Sequence, residues 1–96
     1  MTNPVRIELP CNGDAGTIKI RRHPDEIIFA TQAACKFISF KFEPVDPPPG
    51  FSKGTWSSDG KTIKFDYDGK QMPADGYKFD YDTAPDEGNG TGVIKN

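Results

Sequence analysis

Little in this sequence points to a reactive centre. The 96 residues contain one histidine, His23, two cysteines and one tryptophan. A blue-copper site takes two histidines, a cysteine and an axial ligand, so a single histidine excludes it. The cysteines, Cys11 and Cys35, stand 24 positions apart; neither that spacing nor a nearby histidine suggests zinc. Positive charge is not in excess: 12 basic residues face 14 acidic ones, a net charge of −2. Nucleic-acid binders usually show a basic face or stripe, and none is visible. The longest apolar run, Ile27–Ala30, falls far short of the ~20 residues a membrane helix needs. The stretch from Met1 to Arg6 has no apolar h-region, from which a cytoplasmic location is expected, with export left open. Helix-period stripes are missing too; Gln32–Ala34 has room for one helical turn.

What is present is alternation. From Thr62 to Asp68, Ile63, Phe65 and Tyr67 share one face, and Thr62, Lys64, Asp66 and Asp68 share the other. Successive side chains of a strand leave opposite faces, so this is the period of a half-buried strand. Trp56, flanked by Thr55 and Ser57, supplies its hairpin partner across Ser58-Asp59-Gly60, a run of turn formers. Lys64-Phe65-Asp66-Tyr67-Asp68 recurs as Lys78-Phe79-Asp80-Tyr81-Asp82, and the two copies are expected to be neighbouring strands.

Earlier in the chain, Pro4–Leu9 alternates as a first strand, ended by Pro10. A loop from Cys11 to Gly16 leads to a second strand over Thr17–Arg22, and His23-Pro24-Asp25 makes a turn. Glu26–Ala30 forms a short buried strand. Lys36–Phe42 places Ile38, Phe40 and Phe42 on one face; Phe37 breaks the alternation, which implies a bulge near Lys36 or cover on both faces. Glu43–Phe51 holds four prolines and cannot be a central strand; it reads as an extended surface crossover. Thr83–Gly92 reads as a mobile Gly/Asp-rich loop before a short last strand at Val93-Ile94. Hydrophobic residues make up only 34%, but many are strand formers, with 10 glycines and 9 prolines between the apolar runs. The expectation is all-β: a single domain over 1–96, an immunoglobulin-like or cupredoxin-like antiparallel β-sandwich of seven to eight strands, with an open barrel as the runner-up.

Pro49-Gly50-Phe51, the Ser-Ser-Asp-Gly-Lys turn at Ser57–Lys61, the Tyr-led strand that follows and the ending Val93–Asn96 resemble a group of small uncharacterised bacterial β-sandwich proteins, including the family called DP-EP. The likeness covers roughly the second half of the chain. The acidic Asp-Pro and Glu-Pro ending that names the family is absent. The resemblance implies the sandwich fold and carries no site residues.

Candidate chemistry is sparse. If the repeated strands are neighbours, Asp66, Asp68, Asp80 and Asp82 gather near their ends, with Asp86 and Glu87 from the next loop, and clustered carboxylates suit calcium. The spacing does not complete a calcium loop, and Lys64, Lys70 and Lys78 are interspersed, so a solvated face that discourages edge pairing is the plainer reading. Cys11 and Cys35 read as reduced thiols, one in a loop and one near the core, with a disulfide as the alternative for an exported chain. His23 with Cys11, Cys35 or Asp25 has no accompanying catalytic signature. Lys19, Arg21, Arg22 and His23 make a small basic patch that reads as a solvated strand end. Trp56, Tyr67, Tyr77 and Tyr81 either fill the core or offer a ring for stacking on a sugar or partner, and the spacing favours the core for the tyrosines. Asp46–Gly50 is either a polyproline recognition strip or a stiff connector. No catalytic residue or cofactor is assigned. The expected function is a non-catalytic protein-interaction module, self-associating through an exposed strand edge. The alternative is a calcium- or ligand-binding sandwich using the acidic strand ends and the 83–92 loop.

Overall fold

The computed structural model describes every residue except 1–3, 21–23, 33, 69–71, 86–87 and 96. Among the described residues the chain makes eight strands and no helix: β1 (Pro4–Leu9), β2 (Gly13–Lys19), β3 (Glu26–Thr31), β4 (Lys36–Glu43), β5 (Thr55–Trp56), β6 (Thr62–Asp66), β7 (Tyr77–Ala84) and β8 (Asn89–Lys95). They form two four-stranded sheets, ordered β1-β3-β6-β5 and β2-β8-β7-β4. This is the expected all-β sandwich.

The sheets are mixed rather than purely antiparallel. β1 runs parallel to β3, and β2 parallel to β8. The reason is the route of the chain. Only the β5–β6 and β7–β8 links join hydrogen-bonded neighbours; every other link passes between the sheets. Two crossings bring the chain back in its original direction, so β1 and β3 lie side by side and parallel.

All seven phenylalanines lie within the interior between the sheets. Phe29 on β3 meets Phe40, Phe42, Phe65 and Phe79 with centroids 4.8–6.1 Å apart. Most of these pairs are tilted or edge-on, as the ring quadrupole favours. The repeated strands, β6 and β7, turn out to face this core from opposite sheets. They are not neighbours. Phe65 and Phe79 both pack on Phe40, so the shared pattern reflects one core approached from two sides.

The break at Phe37 is a bulge. Phe37 pairs with Thr83 and Ser39 with Asp82, which leaves Ile38 without a partner in the ladder. Phe37 is therefore buried and Ile38 is 57% exposed, contrary to the expectation that Ile38 shares the inner face of Phe40 and Phe42. At the other end, Thr83–Gly92 is mostly strand, not loop. Gly90 and Gly92 lie directly opposite Tyr81 and Phe79. A Cβ on Gly92 would come 2.5 Å from Phe79 Cζ, and one on Gly90 would collide with the Tyr81 ring. Glycine here is the seat of a cross-strand ring, a known way to hold glycine in a strand. β2 likewise begins at Gly13 and ends at Lys19, earlier than expected, because its first residues pair with Gly90 and Thr91 by backbone.

The cysteines are bonded, which corrects the reduced-thiol reading. Cys11 follows β1, Cys35 precedes β4, and their Cα atoms stand 5.9 Å apart, within disulfide reach. The same end is tied by hydroxyls. Thr83 Oγ1 donates to the Cys11 carbonyl, Thr31 Oγ1 donates to the Cys35 carbonyl at 3.0 Å, and the Tyr81 hydroxyl donates to the Pro10 carbonyl at 2.8 Å. Thr31 and Thr83 are the buried polar residues among those described, and both are satisfied this way.

Candidate functional site

A concavity lies where the free edges of the two sheets meet. β5 is only two residues long and stands at the edge of its sheet, as β4 does in the other. The short strand leaves a gap. Phe40 from β4, Ile63 and Phe65 from β6, and Pro47, Lys53 and Gly54 from the β4–β5 crossover line it with Trp56 and Asp46, enclosing about 330 Å3.

The crossover is held across this gap by specific contacts. Phe51 makes a lone bridge to Tyr67 and packs on Phe42 at 5.2 Å. Pro48 is fully buried, and its carbonyl accepts from Phe51 N. Asp46 Oδ1 accepts from Phe42 N at 3.3 Å, folding the segment back on β4. Asp46–Gly50 is thus a set of turns and not an extended polyproline strip. Gly54 passes so close to the sheet that a Cβ would lie 2.9 Å from Phe65 Cε1, so a side chain there would fill the floor of the cleft.

Trp56 is 42% exposed, unusual for the largest apolar side chain. Phe37 meets it edge-on, 6.3 Å between centroids at 79°. The two charged groups of the lining are Asp46 and Lys53. Lys53 is exposed and has no ion-pair partner among the described residues. The lining holds no hydroxyl, thiol or imidazole among the described residues. It offers flat apolar contact, with the Asp46 carboxylate as acceptor and the Lys53 ammonium and Trp56 indole N–H as donors.

The residues singled out by sequence are dispersed. Asp66 lies on β6 in one sheet, with Asp68 just beyond it, whereas Asp80 and Asp82 lie on β7 in the other. The gathering of carboxylates fails because the repeated strands are not neighbours. Asp82 accepts from Ser39 Oγ at 2.9 Å, and Asp80 sits opposite Lys41 in the ladder, an opposite-charge pair of the kind that stabilises sheets. Asp80 and Asp82 share a second, shallow hollow with Asn89 and Thr91, but among the described residues no three His, Cys, Asp or Glu come together as a metal site. Asp86, Glu87, Lys70, Arg21, Arg22 and His23 lie outside the described residues; Lys19 is exposed. Tyr67 and Tyr81 are buried and Tyr77 half-buried, so the tyrosines fill the core as expected. Burial raises the hydroxyl pKa of Tyr67 and of Tyr81, with Asp68 and Tyr77 adding to the first and Asp14 to the second.

Three of the four edge strands, β1, β2 and β4, carry features that guard them. β1 lies between Pro4 and Pro10 and carries an Arg6–Glu8 ion pair at 3.0 Å. β2 has a register shift between Asp14 and Gly16. Along β4, Phe37 N donates to Gly60 O at 2.8 Å and Phe42 N to Asp46. Prolines, bulges and occupied donors all oppose edge-to-edge pairing.

In comparisons with known proteins, no family model matches the chain and no curated protein matches it. No helix among the described residues is long and apolar enough to cross a membrane. Sequence reasoning had reached Trp56 but not its partners. Lys53, Gly54 and Phe40 come together only through the bulge in β4 and the folding back of the crossover.

Proposed function

We propose that the protein is a non-catalytic binding module whose contact site is the cleft between β4, the crossover and β5. The observation that carries this reading is Trp56, left 42% exposed beside a donor and an acceptor that form no ion pair with each other. Sites of this size, largely apolar with a few placed polar groups, are typical of small-ligand recognition. The guarded edges favour the cleft over strand-edge self-association as the point of contact. The Cys11–Cys35 bond fits an oxidising compartment, where small domains use disulfides to supplement a modest core, and we therefore place the working protein outside the reducing cytoplasm. A fragment screen read by amide and indole NMR shifts tests the site. Hits should perturb Phe40, Lys53, Gly54 and the Trp56 indole N–H together. Hits that map only elsewhere, or a library that maps nowhere, refute it.

A further inference from the structure

We infer that the cleft takes an uncharged saccharide, a deepening that rests on the binding-module reading above. The argument begins with charge. Asp46 and Lys53 are opposite in sign and stand in one lining, so an anion or a cation meets one attractive and one repulsive group. A neutral polyol meets neither penalty. Its hydroxyls both donate and accept, and they suit a carboxylate, which only accepts, and an ammonium, which only donates.

Shape and surface point the same way. The C–H face of a pyranose ring is apolar and flat, and it matches the exposed indole, which Phe37 supports edge-on from one side. Pro47, Phe40, Ile63 and Phe65 extend that apolar floor. The volume of about 330 Å3 is at the lower end of small-ligand sites, room for a short stretch of a sugar chain. Trp56 and Lys53 on its rim are exposed, so outward hydroxyls keep their water and avoid the cost of burying polar groups unpaired.

The chief competitor is an extended peptide. Such a ligand binds a sandwich edge by adding a strand and takes most of its affinity from main-chain hydrogen bonds. On β4 those donors are engaged at both ends, Phe37 N by Gly60 O and Phe42 N by Asp46 Oδ1. Stacking and side-chain hydrogen bonds remain, and these are what a sugar uses.

Trp56 is the single tryptophan, so its emission reports on the cleft alone. The intact protein is titrated with cellohexaose, chitohexaose, laminarihexaose and maltohexaose, by fluorescence and by calorimetry. At least one should give saturable binding with Kd between about 10 μM and 1 mM, changed less than about twofold between roughly 50 and 500 mM salt because no net charge is matched. Trp56→Ala should weaken it at least about tenfold, and Lys53→Met about threefold or more, equivalent to about 1.4 and about 0.65 kcal/mol. Both side chains are exposed, and Lys53→Met carries the test if Trp56→Ala fails to fold. Absence of saturable binding to all four sugars overturns the inference, as does binding that survives Trp56→Ala unchanged or saturable binding of a proline decamer in their place. Fragments that still map to the cleft after such a result would leave the binding-module reading standing and remove only the sugar.

Discussion

Removing the disulfide should cost this domain a large part of its stability. The bond between Cys11 and Cys35 closes a loop with a sequence separation of 24. In the chain-entropy account, freeing a loop of that length returns about 11.6 cal/mol/K to the unfolded chain, or about 3.5 kcal/mol at 25 °C. Small domains have a net stability of only about 5–15 kcal/mol, so the loss is a substantial share. Cys11→Ala/Cys35→Ala should lower the urea midpoint by about 1–3 M with an m-value near that of the parent, and lower Tm by about 15–25 °C. Urea melts of parent and variant, with and without reductant, supply the numbers. Reductant should shift the parent most of the way to the variant and leave the variant where it is. Thr83→Val separates this from damage to the surrounding hydroxyl ties. It removes the Thr83 donation to the Cys11 carbonyl and leaves the sulfurs alone, so it should cost about 1 kcal/mol and remain sensitive to reductant. Two thiols reactive toward an alkylating reagent in the freshly isolated, unreduced protein would refute the reasoning. So would a double variant within about 0.5 kcal/mol of the parent, because the entropic term would then be absent.

Other substitutions and titrations follow from the same coordinates. Gly92→Ala puts a Cβ 2.5 Å from Phe79 Cζ and 3.1 Å from Ala15 Cβ, which should destabilise by about 1–3 kcal/mol through overpacking; a chemical melt unchanged from the parent would contradict the ring-over-glycine account. Asp59 accepts from Ser57 Oγ at 2.6 Å and from Lys61 N at 3.0 Å, and the Ser57 bond first, then the Lys61 amide, holds its carboxyl below the usual range. A carboxyl lowered on folding stabilises at pH values above its unfolded pKa and loses that contribution as pH falls through the folded one, so the β5–β6 turn should loosen on acidification. Carboxyl-carbon NMR should show the Asp59 midpoint moving up in Ser57→Ala. Tyr67 and Tyr81, raised by burial, should ionise after ordinary tyrosine in an ultraviolet titration. Their folded state favours the protonated form, so stability should fall as pH rises past the unfolded value of 10.0, and Tyr81→Phe should lessen that fall.

The parts of the fold that were legible in the sequence are those where burial follows local alternation. β1 was read residue for residue, because Val5, Ile7 and Leu9 alternate between two prolines. The hairpin at Asp59-Gly60 was legible because Gly60 takes a φ of 72°, which only turn-forming residues adopt easily. The misread parts depend on partners distant in sequence. The start of β2 and most of β8 are glycine-rich and look like loops until Tyr81 and Phe79 are seen to occupy the space above Gly90 and Gly92. The signal was present as two glycines spaced like two aromatics, but it required knowing that those segments pair. The repeated Lys-Phe-Asp-Tyr-Asp suggested neighbours because a strand pattern records which face is buried, not which sheet does the burying. The disulfide was open to the same failure, since 24 intervening positions say nothing about whether two ends of a sandwich coincide.

The candidate site lies at the far end of that scale. Trp56 alternates correctly with its neighbours, so its own sequence context marks it for a strand and not for a surface. Its exposure comes with β5 stopping after two residues at a sheet edge, while the crossover beside it is anchored in the core by Phe51 and Pro48. An apolar ring exposed at an ordinary strand edge would invite pairing with another chain. Here the neighbouring β4 edge has its donors at Phe37 and Phe42 occupied, which hinders strand addition while the ring stays open. On the binding-module reading proposed above, that combination favours ligands that bind through faces and hydroxyls, and it argues for the cleft over the rim as the contact site.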